Sequence, residues 1–117
     1  MIDVAGIIDH TALKADTAKA SIRDLCEEAK ANKFKAVCVN PFFVKRCKDN
    51  LSGTPVLVAS VVGFPLGANS SEVKKYETQQ LISNGADEID MVINVGCLKS
   101  GDYDQVQRDI KGVVDTA

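Results

Sequence analysis

The sequence predicts an α/β domain whose parallel strands are joined by helical crossovers, and three observations carry that prediction. Strand and helix signals alternate four times, in units of roughly 25 to 30 residues, the length of a strand-helix crossover. Val56 to Val62 is a continuous Val-rich run of the kind found in strands covered on both faces. Apolar residues make up 45% and charged residues 26%, a composition that supports a packed core, and no Pro/Gly/Ser-rich linker divides residues 1–117.

Taken in order, Val4 to Asp9 reads as a short first strand ending at Asp9-His10-Thr11. Asp16 or Thr17 can then cap a helix whose apolar residues Ile22, Leu25, Cys26 and Ala29 recur at amphipathic spacing, with an end near Asn32. Ala36 to Val39 is a buried-strand run closed by Asn40-Pro41, and Pro41 suits the first turn of a helix carrying Val44, Cys47 and Leu51. Val56 to Val62 is the third strand, and Gly63-Phe64-Pro65-Leu66-Gly67 a loop built on a tight turn. Asn69, Ser70 or Ser71 caps a third helix with Val73, Tyr76, Leu81 and Ile82 as its apolar face, and Gly85 stands where a helix-terminating glycine is wanted. Glu88 to Val95 is the fourth strand. Its period of two turns Ile89, Met91 and Ile93 to one side and Asp90, Val92 and Asn94 to the other. Asp102 caps a last helix with Tyr103, Val106, Ile110, Val113 and Val114 on its apolar side.

Several function classes are excluded. Fourteen Lys+Arg against 16 Asp+Glu give a net charge of −2, and no basic stretch is interleaved with aromatics, so nucleic acid is not an expected partner. The longest apolar run, Val56 to Leu66, is broken by Ser60, Gly63 and Pro65 and falls far short of the roughly 20 residues that cross a bilayer. The first residues show no secretory pattern, which makes the cytoplasm the expected compartment and free thiols the expected state of Cys26, Cys38, Cys47 and Cys97. With no C-x-x-C spacing and His10 as the one histidine, no metal site is expected.

Parallel sheets bind ligands beyond the carboxyl ends of their strands, which directs attention to Asp9, Thr11, Asn40, the Gly63–Gly67 loop, Asp90, Asn94 and Lys99. Asp90 is the sharpest of these. It stands inside an otherwise apolar strand, where an ionised carboxylate needs a cation or hydrogen-bond partner. Pattern alone leaves open a proton-relay carboxylate and a structural one; either way Asp90 is expected to be partly buried on the inner face, its carboxyl pushed up by desolvation. Asp9 and Thr11 are polar groups at a strand end, where turn and cap roles are also routine. Cys38 is a possible reactive thiol or a small buried apolar residue. The glycine loop lacks the spacing of a dinucleotide or P-loop site, so no cofactor is expected from it, and this also argues against a flavodoxin-like binder.

Ile8-Asp9-His10-Thr11-Ala12-Leu13-Lys14, Ala36-Val37-Cys38-Val39-Asn40-Pro41, Val61-Val62-Gly63-Phe64-Pro65-Leu66-Gly67, Gly85-Ala86-Asp87-Glu88-Ile89-Asp90-Met91-Val92-Ile93-Asn94 and Leu98-Lys99-Ser100-Gly101-Asp102 occur in one order across the chain. In that order and spacing the sequence resembles the deoxyribose-phosphate aldolases. The resemblance implies a (β/α)8 barrel that needs no metal or organic cofactor. It cleaves 2-deoxyribose 5-phosphate to glyceraldehyde 3-phosphate and acetaldehyde through a lysine Schiff base. It further implies Asp90 as the proton-relay carboxylate, Asp9 and Thr11 as substrate-side polar groups, and Cys38 as the second-strand cysteine.

A full barrel needs roughly 200 residues at least, so the resemblance implies an N-terminal half-barrel over residues 1–117. The family's Schiff-base lysine, its lysine partner and its phosphate site lie on later strands and loops. None of Lys14, Lys99 or Lys111 matches them, and no Schiff-base lysine is expected in this chain. A truncated gene product, an engineered half and a proteolytic fragment are the explanations that fit. Two functions follow: part of an aldolase, inactive alone, or a non-catalytic half-barrel that self-associates as a homodimer or higher homo-oligomer through a bare inner face with Val92 among its residues.

Overall fold

A computed structural model describes residues 1–117. Its sheet has four parallel strands in the order β1-β2-β3-β4, with β1 Asp9–Ala12, β2 Ala36–Val39, β3 Leu57–Val62 and β4 Glu88–Met91. Between and after them run α1 Lys19–Asn32, α2 Val44–Asn50, α3 Ser71–Ser83, α4 Val95–Lys99 and α5 Tyr103–Thr116. The four repeated strand-helix units are those the sequence predicts.

Every long helix lies on one side of the sheet. Ile22, Cys26 and Ala29 of α1, Val44 and Cys47 of α2, Leu81 of α3 and Val113 of α5 close one core with Val37, Val39, Val58 and Val62. Ile89 and Met91 pack against it from β4, as the period of two requires. The alternate residues Cys38, Ala59 and Val61 face the other way and form a second, small cluster with Leu13. The inner face of the central strands is therefore not bare: these three side chains are only 2–5% exposed. They are short, and Leu13 packs over them. The expected bare face is confined to the outer strands, where Asp9, Thr11 and Asp90 are exposed.

Several element boundaries differ from expectation. Ala5–Ile7 is a single 3₁₀ turn, and β1 starts only at Asp9, where the ladder to β2 begins with Asp9 opposite Ala36. Strand membership there follows the available partner rather than local hydrophobicity. Neither Asp16 nor Thr17 caps α1; Ala18 holds that position, and the Thr17 hydroxyl donates instead to the Lys14 carbonyl at 2.7 Å. β4 ends at Met91 rather than Val95, because the Asn94 side chain accepts from the Cys97 amide and starts α4. Ser70 and Asp102 do cap α3 and α5.

The apolar faces of two helices are also displaced. In α3, Val73, Tyr76 and Ile82 are exposed, and the inward residues are Lys74, Thr78 and Leu81. In α5, Tyr103, Ile110 and Val114 are exposed, and Val106, Asp109 and Val113 face in. The cause is one buried ion pair between the two helices: Lys74 Nζ lies 2.5 Å from Asp109 Oδ2, with side chains 0% and 3% exposed. Lys74 also donates to the Val92 carbonyl at 3.0 Å, and Ser71 Oγ donates to Asp109 Oδ1 at 2.9 Å. Hydropathy patterns place charges outside and cannot register such a pair.

Asp87 reads as the solvated start of a strand, but it pins two elements. Its Oδ2 accepts from the Val58 amide at 2.9 Å, and both oxygens accept from Lys48 Nζ at 3.0 Å. Asp87→Ala is expected to cost about 1–2 kcal/mol, the scale of lost charged hydrogen bonds at a partly exposed site. Urea denaturation reads this, and a loss below about 0.5 kcal/mol, the level of an ordinary surface substitution, would refute the pinning role.

Candidate functional site

The predicted residues share the inner face of the sheet but stand on its two edge strands, with β2 and β3 between them. Asp9 and Thr11 stand on β1 opposite Ala36 and Cys38, and Asp90 stands on β4 opposite Val61, two residues beyond Glu88, which is level with Ala59 and Cys38. Thr11 Oγ1 donates to the Asp9 carbonyl at 2.9 Å, so the hydroxyl is held along its own strand. Asp90 is exposed, contrary to the expectation of partial burial, because no element stands over the open side of β4.

The face carries two further groups. Glu88 shares the parity of Asp90, and its Oε1 lies 2.9 Å from Lys35 Nζ. The signal for Glu88 was its position two residues before Asp90, which puts both on one side of a strand. Lys35 is held above the ordinary lysine value, chiefly by its hydrogen bond to Glu88 and then by the charges of Glu88 and Asp9. It is a paired ammonium rather than a free amine.

Cys38 lies among these groups. Burial pushes its thiol up to about 11, and the charges of Asp90, Asp9 and Glu88 add to that. At neutral pH it is a protonated, buried sulfur, and the thiolate rather than the thiol is the nucleophile. Asp90→Asn is expected to change stability by no more than about 0.5 kcal/mol, because the carboxylate is exposed. The same substitution removes one charge acting on Cys38 and should speed its alkylation by iodoacetamide at mildly alkaline pH. Mass spectrometry of the Cys38 peptide reads this, and an unchanged rate would separate the two groups.

The other sequence candidates serve structure. Asn40 Nδ2 donates to the Leu13 carbonyl at 3.3 Å, and Asn94 caps α4. Gly63 and Gly67 both have positive φ, 68° and 66°, and a Cβ on Gly67 would collide with the Ile93 carbonyl oxygen, so the loop between them seats directly on the chain leaving β4. Lys14 and Lys99 are exposed. No three His, Cys, Asp or Glu side chains are grouped to hold a metal ion. No helix is long and apolar enough to cross a membrane.

Four parallel strands with helices on one side and polar groups on the concave side define the first half of a (β/α)8 barrel. The aldolase QR15 superposes with a TM-score of 0.94 at 36% identity, over 100% of this chain and 52% of its own. A tetrameric deoxyribose phosphate aldolase from Aeropyrum pernix does so with a TM-score of 0.85 at 31% identity, over 95% and 46%. In sequence, a deoxyribose-phosphate aldolase of Geobacillus sp. (strain WCH70) is 57% identical over 115 residues, 98% of this chain and 52% of that protein. The chain thus spans about half the length of the curated relatives it matches. Residues 4–117 match the model of the DeoC/LacD family aldolases, and the chain belongs to that family.

Proposed function

We propose that these 117 residues supply the first four strands of a Schiff-base aldolase that cleaves 2-deoxyribose 5-phosphate to glyceraldehyde 3-phosphate and acetaldehyde. In this reading a lysine amine outside these residues condenses with the substrate aldehyde and releases water. The protonated imine then accepts the electron pair of the breaking carbon-carbon bond. The adjacent hydroxyl must lose a proton as that bond breaks, and the enamine must later gain one at carbon. Asp90 is the proton-relay carboxylate, and Asp9 and Thr11 bind the substrate's polar groups.

The observation that carries the reading is that Asp9, Glu88 and Asp90 share one sheet face, near enough for all three charges to act on the Cys38 thiol, with Glu88 paired to Lys35. A negative face favours a cationic imine and offers bases for its proton transfers. Joining this chain to the half of the Geobacillus sp. protein that lies beyond the matched region should give a chimera that cleaves the sugar phosphate. In that chimera Asp90→Asn should lower kcat by orders of magnitude. A folded chimera without activity, or one indifferent to Asp90→Asn, would overturn the assignment.

A second reading, a self-associating half-barrel, is favoured by the apolar surface at both edges. Ile2, Val4 and Ile7 are 60–77% exposed beside β1. On α5, Tyr103, Ile110 and Val114 line a shallow cleft of about 530 Å³. Both sheet edges are also unpaired. The isolated chain is expected to sediment as a dimer or larger at micromolar concentration; a monodisperse monomer would refute this reading.

A further inference from the structure

A surface cavity of about 340 Å³ opens where the start of α1 meets α2, walled by Lys19, Phe42, Lys45, Arg46, Asp49 and Asn50. α1 and α2 stand on the helix side of the sheet, and Asp9, Thr11 and Asp90 belong to its other face, so the proposed aldolase chemistry does not use this cavity. The two helices are fixed to the core by the fully buried Ile22, Cys26, Val44 and Cys47. Seven of the 14 Lys and Arg side chains are paired with carboxylates. Lys19, Lys45 and Arg46 are not, although Asp49 stands in the same wall. Three cations thus meet one carboxylate here, in a chain whose net charge is −2.

The aromatic wall is equally unusual. Phe42 is 81% exposed, the most exposed aromatic ring in the protein. Phe43 beside it packs against the core, and the two rings meet at 85° with centroids 5.2 Å apart. That contact steadies Phe42 while most of its surface stays open to a flat ligand. We propose that the cavity binds a nucleoside phosphate, with its phosphates on Lys19, Lys45 and Arg46, its base on the Phe42 ring and its ribose hydroxyls donating to Asp49.

Each part of such a ligand answers a feature that a simpler one leaves idle. Phosphate oxygens attract all three cations, and Arg46 adds paired N–H donors to the point charges of the two lysines. An inorganic anion would use those cations but not the ring, and Asp49 would repel it. A neutral aromatic compound would use the ring and leave the cations unanswered. A sugar diol donates to a carboxylate, and a base stacks on an open phenyl face. The volume lies at the small end of the range for small-molecule sites, which suits one nucleotide. The rim is held as well: Lys30 Nζ, itself paired with Glu27, reaches the Asn50 carbonyl at 3.4 Å and ties α1 to the end of α2.

The test is calorimetric titration of the chain with ADP, pyrophosphate and adenosine at two salt concentrations. ADP should saturate a single site per chain below about 1 mM, and less tightly as salt rises. Pyrophosphate and adenosine should each bind at least about fivefold more weakly, since each lacks either the stacked base or the charge. Phe42→Ala should weaken ADP at least about fivefold, the low end of what a stacked base contributes, and leave pyrophosphate unchanged. Arg46→Gln should weaken both, and Lys99→Gln, which removes an exposed cation of α4, should change neither. Amide shifts of the isotope-labelled, unsubstituted chain give the location whatever the variants do: with ADP they should centre on Lys19 and residues 42–50. Absence of saturation, equal affinities for ADP and pyrophosphate that ignore Phe42→Ala, or shifts centred on the inner face would overturn the proposal. Tighter binding of oligo(dT) than of ADP would mark a polynucleotide surface and overturn it too.

Discussion

Incubated with acetaldehyde and borohydride, the 117-residue chain is expected to gain no stoichiometric label on any lysine, and with 2-deoxyribose 5-phosphate it should give no cleavage above background. The reason lies in where its amines are. Lys74 is fully buried and paired with Asp109. Lys35, the lysine on the inner face, is bonded to Glu88 and held above its ordinary value. Lys30, Lys48, Lys75 and Lys111 are each paired with a carboxylate of Glu27, Asp87, Glu72 and Asp115. An imine-forming lysine must instead be a free amine at working pH, which takes a neighbouring cation or desolvation without a counter-charge. Losing the nucleophile of a covalent mechanism typically removes several orders of magnitude in rate. Intact mass after borohydride reads the trapping, and an assay for glyceraldehyde 3-phosphate reads the turnover. Site-specific labelling of one lysine together with turnover would sink the prediction and name its own nucleophile.

The parts of this fold that are legible in the sequence are those where chemistry and burial agree. β2 and β3 are Val-rich runs of small and apolar residues that are almost all buried, and the inward face of α1 is the Ile22, Leu25, Cys26 and Ala29 stripe that its spacing predicts. The inner-face position of Asp90 is equally local, because alternation alone fixes it once Ile89 and Met91 go to the core. Its exposure is not local. It depends on what stands across the open side of the sheet, and no window of sequence around residue 90 encodes that. The start of β1 was hidden for a related reason: a ladder begins where β2 offers a partner. In β4 two local signals competed, and the Asn94 cap prevailed over an apolar run that could have continued the strand.

Lys74→Met is expected to destabilise the domain by about 3–5 kcal/mol, the range for removing one partner of a buried ion pair. The substitution leaves Asp109 in the core with only the Ser71 hydroxyl to satisfy it, and it strips the Val92 carbonyl of its ammonium donor. Little space exists for water to replace the lost charge, since the lysine stem packs so closely that a Cβ on Gly63 would lie 2.9 Å from its Cε. Asp109→Leu should be as harmful by the mirror argument, with an ammonium left unpaired between α3 and α5. The double substitution Lys74→Met with Asp109→Leu should recover most of the loss, because two apolar side chains of similar length ask nothing of the core electrostatically. Equilibrium urea denaturation of the four proteins closes the cycle, and the coupling between the sites should exceed about 2 kcal/mol, well above the scatter of independent sites. Additive single and double losses would mean that the two charges hold the helices through separate contacts. In that case the misplacement of the apolar faces of α3 and α5 would need another cause than this pair.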